Sequence, residues 1–343
     1  MQELTVSPLG RFLPIARWLP GYRRDWLRAD VIAGLTVVAL LIPEGMAYAE
    51  IAGMPPQTAF YAAPVGLLLY AIFGTSKQLI VAVSAAIATM SYATVSGLAA
   101  PGTPEFYLLT SALAVLAGFV AIIAGLLKLG RIAQFFSESV MVGFITGLAL
   151  TIAIKQVPKM LGFEGGSGNF WERLVHIFQH LSETHLVTLI VAGLCLALML
   201  VIERYFHKVP AALAALLFGI AISAVFNLSA SGVHVVGEIP SGFVPPKLPG
   251  IPLEAWLALI PGAVGLALVN FAEGIGPARS FAATHKYHVE ADQELVGLGA
   301  ANVGAGLFQA FPIGSSLSKS AANDRAGAHS QMSALVAAGL TVL

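Results

Sequence analysis

The sequence predicts an all-α polytopic membrane protein, and three observations carry that prediction. Apolar runs of about twenty residues recur along the whole chain, the length a helix needs to cross about 30 Å of hydrocarbon. Charged residues make up 10% of the 343, against about 25% in soluble domains, and the mean hydropathy is +0.83. The runs are also too long and too uniformly apolar for the ten-residue alternating segments of a β-barrel. Eighteen Lys and Arg balance 18 Asp and Glu, so no charge excess points to nucleic acid as a partner. The single Cys195 lies in an apolar run and reads as a small packing residue.

Taken in order, residues 1–30 form a basic interfacial segment. Arg11, Arg17, Arg23, Arg24 and Arg28 alternate with Trp18, Tyr22 and Trp26, a mixture suited to the headgroup layer on the cytoplasmic side. The first long apolar run begins near Val31, behind this segment, and exceeds the length of a signal-peptide core. Ten spans are expected at roughly 31–50, 57–73, 80–97, 107–128, 136–160, 185–203, 209–227, 255–281, 291–311 and 315–326, with an eleventh beginning near Ser330. With the N-terminus inside, the cytoplasmic side receives Lys77, Lys128, Arg131, Arg204, Lys208, Arg279 and Lys286 besides the five N-terminal Arg. The outer side receives mainly Lys155, Lys159, Arg173 and Lys247. That asymmetry predicts a multi-pass protein of the cell membrane with a cytoplasmic N-terminus. The connection at 161–184 reads as an outer loop, flexible around Gly165 and Gly166. The connection at 229–254, with Pro240, Pro245, Pro246, Pro249 and Pro252, reads as an extended, ordered outer cover.

Charge inside the spans is the next clue. Span one carries Pro43-Glu44-Gly45, span eight carries Asn270, Glu273 and Gly274, and Phe311 to Asn323 reads FPIGSSLSKSAAN. Glu44, Glu273 and Lys319 facing lipid would together cost on the order of 8–10 kcal/mol, so they are expected to face inward. Either two of them form a buried salt bridge that fixes helix packing, or they line a substrate or proton path. Pro312 and Gly314 interrupt the run before Lys319. Ser315, Ser316, Ser318 and Ser320 then open a new helix, whose unpaired N–H groups and positive dipole end attract anions. A Ser-rich surface loop with a snorkelling Lys is the plainer alternative. Span three also starts irregularly, with Gly74-Thr75-Ser76 leading to VAVSAAIATMS. If residues 31–228 hold one seven-span repeat and 255–343 begin a second, the two interrupted spans are the third helix of each. An odd number of spans per repeat inverts the halves, and interrupted helices at matching positions mark the site of inverted-repeat transporters. Small-residue spans also arise from ordinary close helix packing.

Four passages resemble the sulfate permease, or SulP-type, anion transporters: WLPGYRRDWLRADVIAGLTVVALLIPEGMAYAEIAGMPP, YAIFGTS, KQVPKMLG and ADQELVGLGAANVGAGLFQAFPIGSSLSKSAAN. They stand in the expected order across nearly the whole chain. The resemblance implies a seven-plus-seven inverted-repeat transporter fold, here truncated within the second repeat, in which a core domain moves past a gate domain like an elevator. It implies substrates among sulfate, bicarbonate, chloride, oxalate and dicarboxylates. Carried onto this sequence, the site positions are Glu44, where many members have Gln; Glu273; and Ser316-Leu317-Ser318-Lys319-Ser320-Ala321-Ala322-Asn323. In span three, Val81-Ala82-Val83 replaces the frequent Val-Gly-Pro and is followed by Ser84 and Ala85. Lys319 stands where Arg is common, which keeps the charge and loses the planar two-pronged grip. Ala82-Val83 in place of Gly-Pro weakens the expected break. The chain ends at Leu343 inside span eleven, before the family's last helices and usual soluble domain, and reads as a fragment with a nearly complete core and half a gate.

The expected function is secondary active transport of an inorganic anion or small dicarboxylate, sulfate-, bicarbonate- or fumarate-like, with proton or ion coupling. Glu44, Ser84, Ala85, Glu273, Ser316, Ser318 and Lys319 are the expected substrate-binding residues, and Glu273 and Glu44 the proton-coupling candidates. A nucleobase-type transporter of the same fold and a non-transporting membrane scaffold are the alternatives. The expected partners are the anion, the lipid bilayer and a second copy in the family's usual dimer. No catalytic residue, cofactor or metal site is expected: the chain has no HExxH, GxSxG or Walker motif, and its eight His are scattered.

Overall fold

The computed structural model describes residues 13–131, 138–166, 169–206, 209, 211–235 and 244–342. Expectations that fall on Arg11, Ser167, Gly168, Lys208, Pro240 and Leu343 lie outside the described residues. The principal helices are α1 (Leu27–Ile51), α2 (Ala59–Phe73), α3 (Ala85–Val95), α4 (Pro104–Leu126), α5 (Glu138–Leu161), α6 (Phe170–Gln179), α7 (Leu186–Tyr205), α8 (Ala211–Phe226), α9 (Leu253–His285), α10 (Ala291–Leu307), α11 (Leu317–Arg325) and α12 (Met332–Val342). Two two-residue strands, β1 (Val81–Ala82) and β2 (Gly314–Ser315), complete the set. The chain divides into two compact units: residues 1–136 with 240–343, and residues 137–239. The division cuts across chain order, because α9–α12 return to α1–α4.

Among the described residues, five segments are long and apolar enough to cross a membrane: Arg24–Ile51, Pro56–Phe73, Pro104–Leu126, Leu186–Tyr205 and Leu253–His285. Of the ten expected spans, those at 31–50, 57–73, 107–128, 185–203 and 255–281 fall on these five. The spans placed at 80–97 and 315–326 are the short helices α3 and α11, of 11 and 9 residues. At 1.5 Å per residue they reach roughly 14–16 Å, half the hydrocarbon thickness. The span at 209–227 is the 16-residue α8. The expected start of span three at residue 80 falls before α3 because Ile80, Val81, Ala82 and Val83, which lead into it in extended backbone, are apolar, whereas the polar α11 lies within two residues of its expected bounds. The break at Ala82-Val83, expected to be weak, is present: β1 runs antiparallel to β2, with Val81 opposite Ser315 and Ala82 opposite Gly314.

The first unit is built on a glycine seam. Helices α4 and α10 pack along their length. A Cβ added to Gly118 would lie 2.6 Å from the Gly299 carbonyl oxygen, and one on Gly306 would lie 2.5 Å from that of Ser111. Small residues let the two backbones touch, so dispersion contacts replace the hydrophobic drive that lipid cannot supply. The opposite face of α10 packs on α2, and α3 and α9 add Ile87, Leu259 and Leu266 to a core with Phe106, Leu109 and Leu113.

Helix α1 already begins at Leu27, and Asp30 is fully buried, accepting from His329 N at 2.7 Å and Ser330 Oγ at 2.9 Å. Trp26 stacks on His329 and Trp18 Nε1 donates to the Ala71 carbonyl at 3.2 Å, so part of the aromatic content serves packing.

In the second unit, the connection at 161–184 contains α6, which begins at Phe170, after the passage around Gly165 and Gly166 that was expected to be flexible. Asn169 Oδ1 accepts from Trp171 N at 3.0 Å and Glu172 N at 3.1 Å, while Glu172 Oε2 accepts from Asn169 N at 3.0 Å. This reciprocal capping satisfies amides that would otherwise be orphaned. Cys195 of α7 lies 3.9 Å from the Ala215 carbonyl of α8, as a packing residue.

Candidate functional site

The site is the point where the chain twice stops being helical inside the first unit. Broken backbone at membrane depth must find polar partners within the protein. Two asparagines supply them to β2. Asn270 of α9 donates through Nδ2 to the Ile313 carbonyl at 3.1 Å and accepts from Ser315 N at 3.1 Å. Asn302 of α10 donates to the same carbonyl at 2.9 Å and accepts from Ile313 N at 3.0 Å. Ser320 Oγ accepts from Ile80 N at 2.8 Å and donates to the Ser316 carbonyl at 2.6 Å, while Ser316 N donates to the Ile80 carbonyl at 3.0 Å. The crossing of the two chain segments is thereby fixed from four sides.

From this crossing, α3 and α11 begin. Ser316 caps α11, its Oγ accepting from Lys319 N at 3.4 Å, with Ser318 Oγ 3.3 Å away. Ser84 caps α3 in extended conformation; its carbonyl accepts from Ala88 N at 2.9 Å and its side chain makes no capping bond. The amides of Ala85, Ala86 and Ile87 precede that first helical bond, so they point along the α3 axis toward the crossing. Gly314 permits the close approach: an added Cβ would lie 2.6 Å from Ile87 Cγ1 and 3.3 Å from Ser84 Cβ.

Lys319 is fully buried at the centre of this arrangement. Its Nζ donates to Glu44 Oε2, to the Val83 carbonyl at 3.3 Å and to Ser316 Oγ at 3.3 Å, and lies 5.2 Å from the centre of the Tyr48 ring. The Glu44 side chain remains 19% exposed. Pro43, immediately before it, can donate no helical hydrogen bond and loosens α1 at this turn. The buried salt bridge weighed from the sequence is therefore present, between Glu44 and Lys319. The snorkelling alternative is overturned, because a fully buried ammonium reaches no interface.

The structure brings together Glu44, Ser316, Ser318 and Lys319, with Ser84 and Ala85 adjoining through Val83. Glu273 is not drawn into this cluster. It is partly exposed and makes no hydrogen bond or ion pair among the described residues; its neighbour Gly274 packs against Ser315 Oγ.

Three residues were missed by sequence reasoning. Tyr48 follows Glu44 by one helical turn, a spacing that could have flagged it. Asn302 is a polar residue in a Gly- and Ala-rich span, the same signal that singled out Asn270. Glu294 is a fully buried carboxylate that accepts from Tyr70 Oη at 2.5 Å, Thr75 Oγ1 at 2.6 Å, Thr75 N at 2.7 Å and Ser76 N at 3.2 Å. Three of these donors stand on the segment that leads into β1 and the fourth on α2, so Glu294 ties both to α10 and holds the scaffold.

Residues 27–343 match the sulfate permease family. The chain is 37% identical over 334 residues to the probable sulfate transporter MT1781 of Mycobacterium tuberculosis, covering 96% of this chain and 60% of that protein. The murine Solute Carrier 26 family member A9 anion transporter, solved in the inward-facing state, superposes with a TM-score of 0.90 at 26% identity, over 99% of this chain and 61% of that one. The transmembrane domain of the cyanobacterial bicarbonate transporter BicA superposes with a TM-score of 0.85 at 22% identity, over 94% and 83% of the two chains, a likeness of fold. The chain thus has an all-α polytopic membrane fold and spans about 60% of the length of the curated relative it matches.

Proposed function

The chain belongs to the sulfate permease family, and on that premise we propose that it is a secondary active transporter of a small anion, bound between the N-termini of α3 and α11. The observation that carries the reading is Lys319, an ammonium buried where the amide ends of two short helices converge. A fixed positive centre with convergent N–H and hydroxyl donors suits an inorganic anion or small dicarboxylate. It offers little to a neutral nucleobase-like ring. The donors are Lys319 Nζ, the hydroxyls of Ser84, Ser316 and Ser318, and the amides from Ala85 onward.

Proton coupling follows from charge balance. Glu44 and Lys319 together are neutral, so an added monoanion would leave a net negative charge in a medium that penalises it by several kcal/mol. A proton on Glu44 restores neutrality and frees Lys319 for the anion, so the two enter as a neutral sum. Glu273, without a partner among the described residues, is the second candidate for the proton. The wider reading is a seven-plus-seven inverted repeat, with 31–228 as the first repeat and 255–343 as the start of the second, and with α3 and α11 as equivalent elements. In this reading the unit of α1–α4 and α9–α12 moves in elevator fashion, the N-terminus is cytoplasmic and the protein pairs as a homodimer.

Uptake of labelled sulfate, bicarbonate and fumarate into proteoliposomes, with unlabelled uracil as competitor, tests the reading. Uptake of one anion, accelerated by an inward proton gradient and indifferent to uracil, is expected. Competition by uracil as strong as by the anion itself would overturn it.

A further inference from the structure

Away from the crossing, the first unit contains a cavity of about 400 Å³. It opens at the end of the unit where α1 turns into α2, opposite the end held by Asp30 and Glu294. Its walls come from three places: Gln57 and Tyr61 at the start of α2, Tyr107 at the start of α4, and Lys247 and Leu248 on the extended strap before α9, with Gln309 closing one side. The strap is pinned by its own backbone, since Lys247 N donates to the Leu307 carbonyl at 2.7 Å. Gln309 adopts a left-handed conformation, φ +57°, just after α10, with Ala310 N bonded back to the Ala305 carbonyl at 3.0 Å. Glycine or asparagine is usual at such a helix end, and a longer side chain there is held at a cost. Here that side chain lines the cavity.

We propose that this cavity binds an organic anion with a flat apolar body, of the arylsulfonate or aryl carboxylate class, and that it is separate from the transport site. The chemistry is complementary on three counts. Among the described residues of the lining, Lys247 is the one cationic group and no carboxylate is present. Tyr61 and Tyr107 offer ring faces for an aromatic body and hydroxyls for its polar end. Gln57 and Gln309 offer amides beside them. The volume falls within the roughly 300–1,000 Å³ of small-molecule sites and is several times what an inorganic anion fills, so a bare sulfate would leave most of it to water. Gln309 lies five residues before Gly314 of β2, so an occupant bears on the link that leads into the crossing.

Isothermal titration of the 343-residue chain in nanodiscs of zwitterionic lipid, with 2-naphthalenesulfonate as the probe, tests this. A sulfonate stays ionised across the working pH range, so its charge is constant. Saturable one-site binding is expected. Lys247→Gln should weaken it about tenfold and Lys247→Arg should restore it to within about threefold, since the charge and not the fork geometry is used. Lys247 is exposed, so neither variant threatens folding. Gln309→Gly, which relieves the left-handed backbone, should also weaken the probe without lowering thermal stability. Lys319→Met should leave the affinity unchanged, and inorganic sulfate should not displace the probe. The proposal fails if Lys247→Gln binds as tightly as the parent, or if sulfate or Lys319→Met abolishes binding, which would place the probe at the crossing. It also fails if neutral 2-naphthylmethanol binds equally well, which would reduce the effect to apolar partitioning.

Discussion

Glu44 and Glu294 are carboxylates inside the same unit, and their surroundings differ in kind. Glu294 is ringed by neutral donors, a phenol, a hydroxyl and two amides, none of which readily changes charge. Glu44 faces another ionisable group, Lys319, and keeps 19% of its side chain exposed. A carboxylate held by neutral donors can only be present or broken, because removing it orphans every donor at once. One held by an ammonium can exchange its partner for a proton or a competing anion. The first arrangement builds a scaffold and the second can respond.

The largest expected effect breaks the scaffold side of this contrast. Glu294→Ala leaves Tyr70, Thr75 and Ser76 without their acceptor and should destabilise the unit by on the order of 5 kcal/mol, at about 1–3 kcal/mol per orphaned buried group. Thermal unfolding in detergent would register it. A melting temperature within a degree or two of the parent would show that these contacts are expendable. Lys319→Met comes next, with anion uptake reduced about a hundredfold, the equivalent of one lost charge-assisted bond of roughly 3 kcal/mol. The crossing should survive, because Asn270, Asn302 and Ser320 fix it without the ammonium. Uptake retained in this variant would remove Lys319 from the site.

Glu44→Gln sharpens the responsive side. Uptake should lose its acceleration by an inward proton gradient while some gradient-independent flux persists. The parallel variant Glu273→Gln separates the two candidates, and whichever leaves the pH dependence intact is excluded as the coupling group. The smallest effect is expected of Tyr48→Leu, which removes the ring near Lys319 Nζ. At about 1 kcal/mol for such a contact, the apparent affinity for the anion should fall about fivefold in initial-rate uptake, with the maximal rate little changed.

Much of this was legible in the residues themselves. Helix-length apolar runs, the Pro43-Glu44-Gly45 interruption and the Ser-rich passage before Lys319 are local patterns, and local patterns follow from the cost of exposing backbone or charge to hydrocarbon. Those costs act on each residue wherever it sits, so the sequence alone determined a helical membrane protein with a helix start near Ser316. The capping of α6 is equally local, written in Asn169-Phe170-Trp171-Glu172.

Tertiary structure decided the rest. Hydropathy cannot separate an 18-residue span from an 11-residue helix preceded by extended backbone, because both are apolar; only the pairing of β1 with β2 marks the difference. Whether Lys319 would meet Glu44, Glu273 or neither depended on how segments some 275 positions apart pack together. The glycine seam of α4 and α10, with the clamps from Asn302 on α10 and Asn270 on α9, set that answer. Charge and burial made a buried partner necessary, and the packing of the helices chose which carboxylate it would be.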